Sequence, residues 1–322
     1  MRPFAYARPK AVTEALALAR GGATVMAGGT DLLGLMKDGI AAPERSVDIR
    51  GLEPLRGWTR AKGKGLRIGA LVPLAELETS AELAKLLPIA AEALRTAATA
   101  QLRTMGTVGG NLLQRNRCWY FRDEAYPCWL KGGVRCFAVD GDNRLHAVVG
   151  AEECVAVAPS DLAPALIAFD ASVMLAGSRG SRTLPLGDLF VTPHGRVRRE
   201  HAIAPDELIV EIRVPENALA RRGAFEKAME RKTWGFALVS VAVSAKLIGG
   251  VVRDARIVLG GVAPVPWRAR EAEKLLEGRL LDDAACRAAA DAALEKAEPL
   301  KDNGYKVPLA RELVRRTLRR LA

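Results

Sequence analysis

Long apolar runs, aromatic residues, histidine and cysteine are all scarce in this chain, and each scarcity excludes a class of protein. No apolar stretch approaches the roughly 18–20 residues that cross a bilayer, so no membrane insertion is expected. The opening, MRPFAYARPKAVTEALALAR, puts Pro9, Lys10 and Glu14 where a signal peptide needs an unbroken apolar segment. The default expectation is therefore a cytoplasmic chain. Aromatics make up only 5% and no RNP-like, zinc-finger or basic-zipper pattern occurs, so nucleic acid is not the expected partner despite a net charge of +11. The three histidines, His146, His194 and His201, have neither metal nor triad spacing. No G-x-S-x-G elbow is present, which removes a serine hydrolase of that type. The absence of G-x-G-x-x-G and of G-x-x-x-x-G-K-[ST] disfavours an ordinary NAD or ATP site.

What is present is an ordinary globular composition, 49% hydrophobic and 26% charged over 322 residues. That length suffices for two domains, each with its own core. Part of the positive charge sits in the tail, where Arg311, Arg315, Arg316, Arg319 and Arg320 have only Glu312 beside them in sequence. A docking surface for another subunit is the expectation there.

Periodicity predicts a helix over 11–20 with Thr13 as N-cap, a strand over 24–27, a glycine turn, and a helix over 32–37. A strand follows at 65–72, and helices at 80–87 and 88–98. The segment from Asn116 to about Gly150 breaks the rhythm and reads as an inserted loop held by something other than a hydrophobic core. Beyond it, the pattern gives a helix at 161–168, strands at 172–175 and 207–214, and a turn at 177–182. Antiparallel strands at 236–245 and 255–259 precede helices at 268–277, 282–297 and 308–321. Strands first and helices last suggest an α+β C-terminal domain with a boundary near Ala218.

Two glycine turns resemble each other: Ala27-Gly28-Gly29-Thr30-Asp31 and Thr107-Val108-Gly109-Gly110-Asn111. One Gly-Gly pair usually marks a mere turn. Two with similar flanks suit a pair of backbone cradles for the two halves of a pyrophosphate. Four of five cysteines lie close in sequence, as C-x9-C-x7-C-x17-C from Cys118 to Cys154. The close pairs of a structural zinc site are missing. Iron–sulfur, a zinc staple in a non-redox interaction subunit, and unligated buried thiols all stay open on spacing alone. Cys286, on an alanine-rich helix, reads as core.

The motifs AGGTDLLGLMK (27–37), QLRTMGTVGGNLLQR (101–115), PSDLAPAL (159–166), DELIVEIRVP (206–215), KAMERKTWGFALVSVAV (227–243) and GGVAPVPWRAREAEKLL (260–276) span nearly the whole chain. Together they resemble the FAD-binding medium subunit of the molybdenum hydroxylases, the xanthine dehydrogenase and carbon monoxide dehydrogenase superfamily. NLLQRNRCWYFRD and the cysteines that follow are most similar to the aldehyde oxidoreductase branch, then to the 4-hydroxybenzoyl-CoA reductase branch. In both, this insertion carries a [4Fe–4S] cluster.

That resemblance implies an α+β fold. A PCMH-type FAD domain of two α/β subdomains would cover 1–218, with an iron–sulfur insertion at about 116–155. A C-terminal domain of a three-stranded antiparallel sheet plus helices would cover 219–322. It implies FAD held by Thr24, Val25, Met26, Ala27, Gly28, Gly29, Thr30, Asp31 and Leu32, with Ala97 and Ala98 beside the flavin. Gly106, Thr107, Gly110, Asn111 and Leu113 would form the second loop. Ser160 and Asp161 would reach the adenosine end, and Ile209 and Lys227 the isoalloxazine ring, with Lys227 favouring the reduced anion. Cys118, Cys128, Cys136 and Cys154 would hold the cluster. The implied partners are a molybdopterin-binding large subunit and a [2Fe–2S] small subunit. Electrons would pass from them to the flavin and on to an external acceptor. Family members can also be carried to the periplasm by a signal on the small subunit.

Overall fold

A computed structural model describes residues 1–322. The chain opens with β1 (Ala5–Ala7), a helix over Val12–Arg20, β2 (Thr24–Met26), a helix over Leu32–Lys37 and β3 (Arg45–Asp48). These three strands form a parallel sheet with β3 in the middle. Parallel neighbours need crossover connections, and the two helices provide them. The first helix buries Ala15 and Ala19. Thr13 does not cap it. The N-cap is Ala11 without a side-chain bond, and the Glu14 carboxylate instead accepts the Lys10 N–H at 2.7 Å.

A second, antiparallel sheet is built from β4 (Trp58–Ala61), β5 (Gly65–Gly69), β6 (Ser172–Gly177), β7 (Gly180–Pro185) and β8 (Glu207–Val214), in the order β4-β5-β8-β6-β7. The expected turn at 177–182 is tighter than its composition suggests, because β6 and β7 stay paired as far as Gly177 and Gly180. Helices at Leu74–Thr79, Ala81–Leu86 and Pro88–Arg95 contribute to the same core, and a further helix spans Ala100–Met105. Ser80 caps the second of them by accepting the Leu83 N–H.

The C-terminal part holds β9 (Arg222–Ala228), β10 (Val239–Ile248), β11 (Val251–Gly260) and β12 (Trp267–Arg268), in the order β12-β11-β10-β9, all antiparallel. The implied three-stranded sheet thus gains a two-residue edge strand. Helices over Arg270–Leu276, Asp283–Ala293 and Lys306–Arg319 pack on it, and Cys286 is fully buried among them. No helix is long and apolar enough to cross a membrane. Two main cores follow this division, but the N-terminal one also takes in Phe225, Ala242 and Val258. Ala218 is itself fully buried. The two parts therefore share a packed interface, with no exposed linker at that point.

Two expectations change. The tail arginines do not form a bare basic face. Arg311 pairs with Asp291, Arg315 with Asp283 and Glu312, Arg316 with Glu226, Arg319 with Asp283, and Arg320 with Glu92. Nor does the insertion lack a core. Leu35, Phe121, Trp129, Leu130 and Ala156 bury themselves against Cys128 and Cys154.

The C-terminal helix also reaches the insertion. Lys306 is fully buried, and its ammonium donates to the carbonyls of Leu145 (2.8 Å), His146 (3.0 Å) and Gly261 (2.8 Å). No ion pair involves it, and burial pushes its pKa down to about 7. An unfolded lysine titrates near 10.4, so between about pH 7 and pH 10 the unfolded chain binds the extra proton and stability rises with pH. Lys306→Met leaves three buried carbonyls without this donor, at a cost of about 1–3 kcal/mol. We expect a lower melting temperature for the variant, with a deficit larger at pH 9 than at pH 6. Thermal melts with identical pH slopes for both proteins would contradict this.

Candidate functional site

At the end of β2 the chain turns through 27–31 and enters the helix at Leu32. Gly29 has φ +73, in the left-handed region that glycine occupies freely. Gly28 sits so close to the Ala100–Met105 helix that a Cβ would stand 1.9 Å from the Met105 carbonyl oxygen. The backbone N–H groups of Gly28, Gly29, Thr30 and Asp31 have no backbone acceptor. Consecutive free amides at the start of a helix form a concave positive surface suited to an anionic oxygen.

The second turn is different. Its N–H groups at Val108, Gly109 and Asn111 are taken by the carbonyls of Val72, Ala70 and Thr107, and that of Gly110 by the Thr107 hydroxyl at 3.2 Å. Gly109 is needed for packing, since its Cβ would lie 3.0 Å from that of Ala70. The two turns look alike in sequence, yet only the first presents a run of free amides. The second is a wall, fastened by the Ser160 hydroxyl, which donates to Asn111 Oδ1 at 2.6 Å.

Two adjoining cavities, of about 600 and 240 Å3, share Thr30, Asp31, Gly110 and Gln114, so the free-amide run begins on the smaller cavity and ends, at Thr30 and Asp31, where the two meet. Among the expected flavin residues, Ala97, Ala98, Gly106, Asn111, Ser160 and Asp161 line the larger cavity. Val25, Met26, Ala27, Gly28, Gly29, Leu32, Thr107, Leu113 and Ile209 line the smaller, whereas Thr24 and Lys227 line neither. Ala98 (φ 54) and Trp234 (φ 53), both on the larger cavity, hold left-handed backbone that non-glycine residues rarely adopt.

The Lys227 side chain is buried, and its ammonium is fully engaged by Asp161 Oδ2 (2.8 Å) and the carbonyls of Thr96 (3.0 Å) and Gly235 (2.8 Å). Burial raises the Asp161 pKa, opposed by this ion pair. Asp161 and Lys227, expected at opposite ends of the dinucleotide, are in direct contact, and Ile209 lines the smaller cavity.

Asp31 does more than end the turn. Its carboxylate accepts the Arg115 N–H (2.8 Å), Arg117 (2.9 Å) and Arg122 (2.8 Å). Sequence reading missed these arginines, 84 to 91 positions away, because nothing local pairs them with Asp31. Arg117 also lines the larger cavity and stacks on Phe236 at 4.8 Å. Burial lowers its pKa, and its Nε has no partner.

The insertion gathers the cysteines. Cys118, Cys128 and Cys136 each precede a short helical turn, at Trp119–Arg122, Trp129–Lys131 and Phe137–Asp140. Backbone N–H groups of Tyr120 and Phe121 face the Cys118 sulfur, those of Leu130 and Lys131 face Cys128, and that of Ala156 faces Cys154. The thiols are near enough to influence one another's ionisation. Burial pushes Cys118 up to about 12 and raises Cys128 and Cys154. No three His, Cys, Asp or Glu side chains stand close enough to share a single metal ion. A histidine without motif spacing also enters the site: His146 Nε2 lies 3.2 Å from Cys118 Sγ, and burial lowers its pKa to about 4.

Comparison with known proteins agrees with this geometry. Residues 2–217 match the FAD binding domain in molybdopterin dehydrogenase, and residues 224–321 the CO dehydrogenase flavoprotein C-terminal domain. The chain belongs to the FAD-binding subunits of the molybdenum hydroxylases. It is 37% identical to the aldehyde oxidoreductase FAD-binding subunit PaoB of Escherichia coli (strain K12), over 97% of this chain and 96% of that one. It is 32% identical to the carbon monoxide dehydrogenase medium chain of Hydrogenophaga pseudoflava, over 98% and 96%. A solved carbon monoxide dehydrogenase from that organism superposes with a TM-score of 0.79 at 31% identity, covering 100% of this chain and 98% of its counterpart. Quinoline 2-oxidoreductase from Pseudomonas putida 86, at 24% identity and a TM-score of 0.77, shares the fold over 99% and 97%. The chain is thus an oxidoreductase subunit with an FAD-binding domain.

Two outcomes follow. Gly28→Ala forces the turn off the Met105 carbonyl and should lower FAD affinity at least tenfold, about 1.4 kcal/mol, with little change in far-ultraviolet circular dichroism. Titration with FAD checks it, and native affinity would rule it out. Asp31→Asn weakens the arginine contacts, worth about 1–3 kcal/mol together at this partly exposed site. It should make the 116–155 segment more sensitive to limited proteolysis, while unchanged cleavage would show that the contacts are dispensable.

Proposed function

We propose that this chain is the electron-transfer subunit of an aldehyde oxidoreductase-type molybdenum hydroxylase and holds FAD together with a [4Fe–4S] cluster. The observation that carries the flavin site is the run of free amides that ends where the two cavities meet. Each cavity takes one half of the dinucleotide, and the amides take the diphosphate between them. The larger cavity, by volume and by the aromatic rings of Trp234 and Phe236 on its wall, takes the isoalloxazine. The smaller, lined by Val25, Ile49, Leu208 and Ile209, takes the adenosine. Ser160 and Asp161 then belong to the ring end and Ile209 to the adenosine end. Thr24 and Lys227 support the site from behind, Lys227 by fixing the Asp161 carboxylate and the Gly235 backbone.

Bound FAD supplies one- and two-electron chemistry; the protein supplies position and electrostatics. Arg117, desolvated beside the larger cavity, is the cation with a free Nε, because Lys227 has none of its three donors to spare. The proposed units are 1–218 for the flavin, including the insertion, and 219–322, whose β9–β10 loop closes the larger cavity with Trp234, Gly235 and Phe236.

No three His, Cys, Asp or Glu side chains are placed to share one metal ion, so the cluster reading rests on the four cysteines of the insertion and the backbone N–H groups that face their sulfurs. A cluster held there would supply one-electron exchange. We propose Cys118, Cys128, Cys136 and Cys154 as its ligands. The partners we propose are a molybdopterin-binding large subunit and a [2Fe–2S] small subunit. The compartment is the cytoplasm unless a partner's signal exports the assembly.

The test is the content of the native protein. Denaturation should release about one FAD per chain, distinguishable from FMN by chromatography, with about four iron atoms expected for a [4Fe–4S] centre. Cys128→Ser should lose the iron and its broad visible absorption while keeping FAD. Iron content unchanged by that substitution would remove the cluster assignment; a colourless native protein that refuses added FAD would remove the flavin.

A further inference from the structure

We propose that His146 donates a hydrogen bond from Nε2 to the Cys118 sulfur and thereby raises the reduction potential of the metal centre. This rests on the cluster reading above. The contact is 3.2 Å, within range for a bond to sulfur, and the imidazole is only 3% exposed. Its other nitrogen, Nδ1, is buried with no partner. An unpaired buried polar atom costs about 1–3 kcal/mol. A phenyl ring would fill the same place, edge-on to Trp119 at 5.4 Å, without that cost. The sulfur is the one polar contact the side chain makes, so it is what the imidazole offers beyond shape.

The geometry also selects the tautomer. A thiolate bound to a metal only accepts hydrogen bonds, so the proton belongs on Nε2 and Nδ1 is bare. The ring is held from its own backbone: the His146 N–H donates to the Asn143 carbonyl at 2.9 Å, and its carbonyl accepts from Lys306 and Asn303. Adding an electron makes the centre more negative, and donors at its sulfurs favour that state. Cys118 already faces the N–H groups of Tyr120 and Phe121, so His146 would make it a three-donor sulfur. Cys118 and His146 both line the larger cavity, alongside the residues assigned to the flavin. This sulfur is therefore the point where the metal centre meets the flavin compartment.

The test uses the full-length chain expressed with its partner subunits, in native form and as His146→Leu and His146→Gln. Iron per chain is measured first. The midpoint potential of the iron–sulfur signal is then followed by electron paramagnetic resonance during a dithionite titration. His146→Leu should keep its iron and titrate at a lower potential than the native protein. His146→Gln, which retains a side-chain N–H, should return toward the native value. An iron-loaded Leu variant with the native potential overturns the proposal, as does equal displacement of the potential in both variants. Loss of iron from both also overturns it, by making His146 a prop for the loop. A native protein without iron would instead sink the cluster reading, and this inference with it.

Discussion

The carboxylate of Asp31 joins the two halves of the site. It sits at the last residue of the free-amide turn, at the junction of both cavities, and receives Arg115, Arg117 and Arg122 from the beginning of the insertion. Its one negative charge faces the guanidinium groups of Arg117 and Arg122 and the Arg115 backbone N–H, a strong local constraint, since displacing it would leave two like charges facing one another. The turn that presents amides to an anion and the segment that carries the first cysteine are therefore positioned by the same group. Glu200 repeats the device one residue along, accepting Asn116 N–H at 2.9 Å and Nδ2 at 2.8 Å and pairing with Arg115. The insertion leaves the flavin domain between two carboxylates.

The larger cavity is shaped by groups that do not themselves line it. The Lys227 side chain is buried at the end of β9 and ties Asp161, Thr96 and Gly235 together. Removing one member of such a buried pair leaves an uncompensated charge, at a typical cost of about 3–5 kcal/mol. Its three acceptors come from separate regions: the end of the Pro88–Arg95 helix, the Pro159–Asp161 loop and the β9–β10 loop. The left-handed backbone at Ala98 and Trp234 stands beside this clamp. Strained conformations persist where the surroundings over-determine them, and a saturated ammonium is such a surrounding. Lys227 thereby organises the walls of the larger cavity without lining it.

Elements with strong local signals were legible in the sequence. The Glu207–Val214 strand and the Leu32–Lys37 helix occur at their expected bounds, and the long antiparallel pair is present, at Val239–Ile248 and Val251–Gly260 in place of 236–245 and 255–259. The family motifs carried the fold, which periodicity alone would not have given. What the sequence hid is long-range. The tail arginines looked unpaired because their carboxylates lie on other elements, as with Arg320 and Glu92, 228 positions apart. The two glycine turns looked equivalent because sequence does not say which amides are already spent; Ala70 and Val72, on a different segment, decide that. His146 carried no signal at all, since its partner sulfur is 28 residues away in a loop without periodicity.

The insertion shows how a segment too small for a conventional core is made definite. Only seven buried apolar residues belong to its cluster, two of them cysteines. The deficit is met from outside: Asp31 and Glu200 hold its beginning, and Asn303 and Lys306 of the C-terminal part hold the 143–147 stretch through backbone carbonyls. Asn143 returns the contact by accepting the Asp302 N–H at 3.0 Å. None of these anchors touches a thiol. The sulfurs are left with backbone N–H groups and one imidazole, donors that favour thiolate over thiol while burial favours the reverse. Anchoring the frame from both domains makes the loop definite through contacts that do not involve the sulfurs at all.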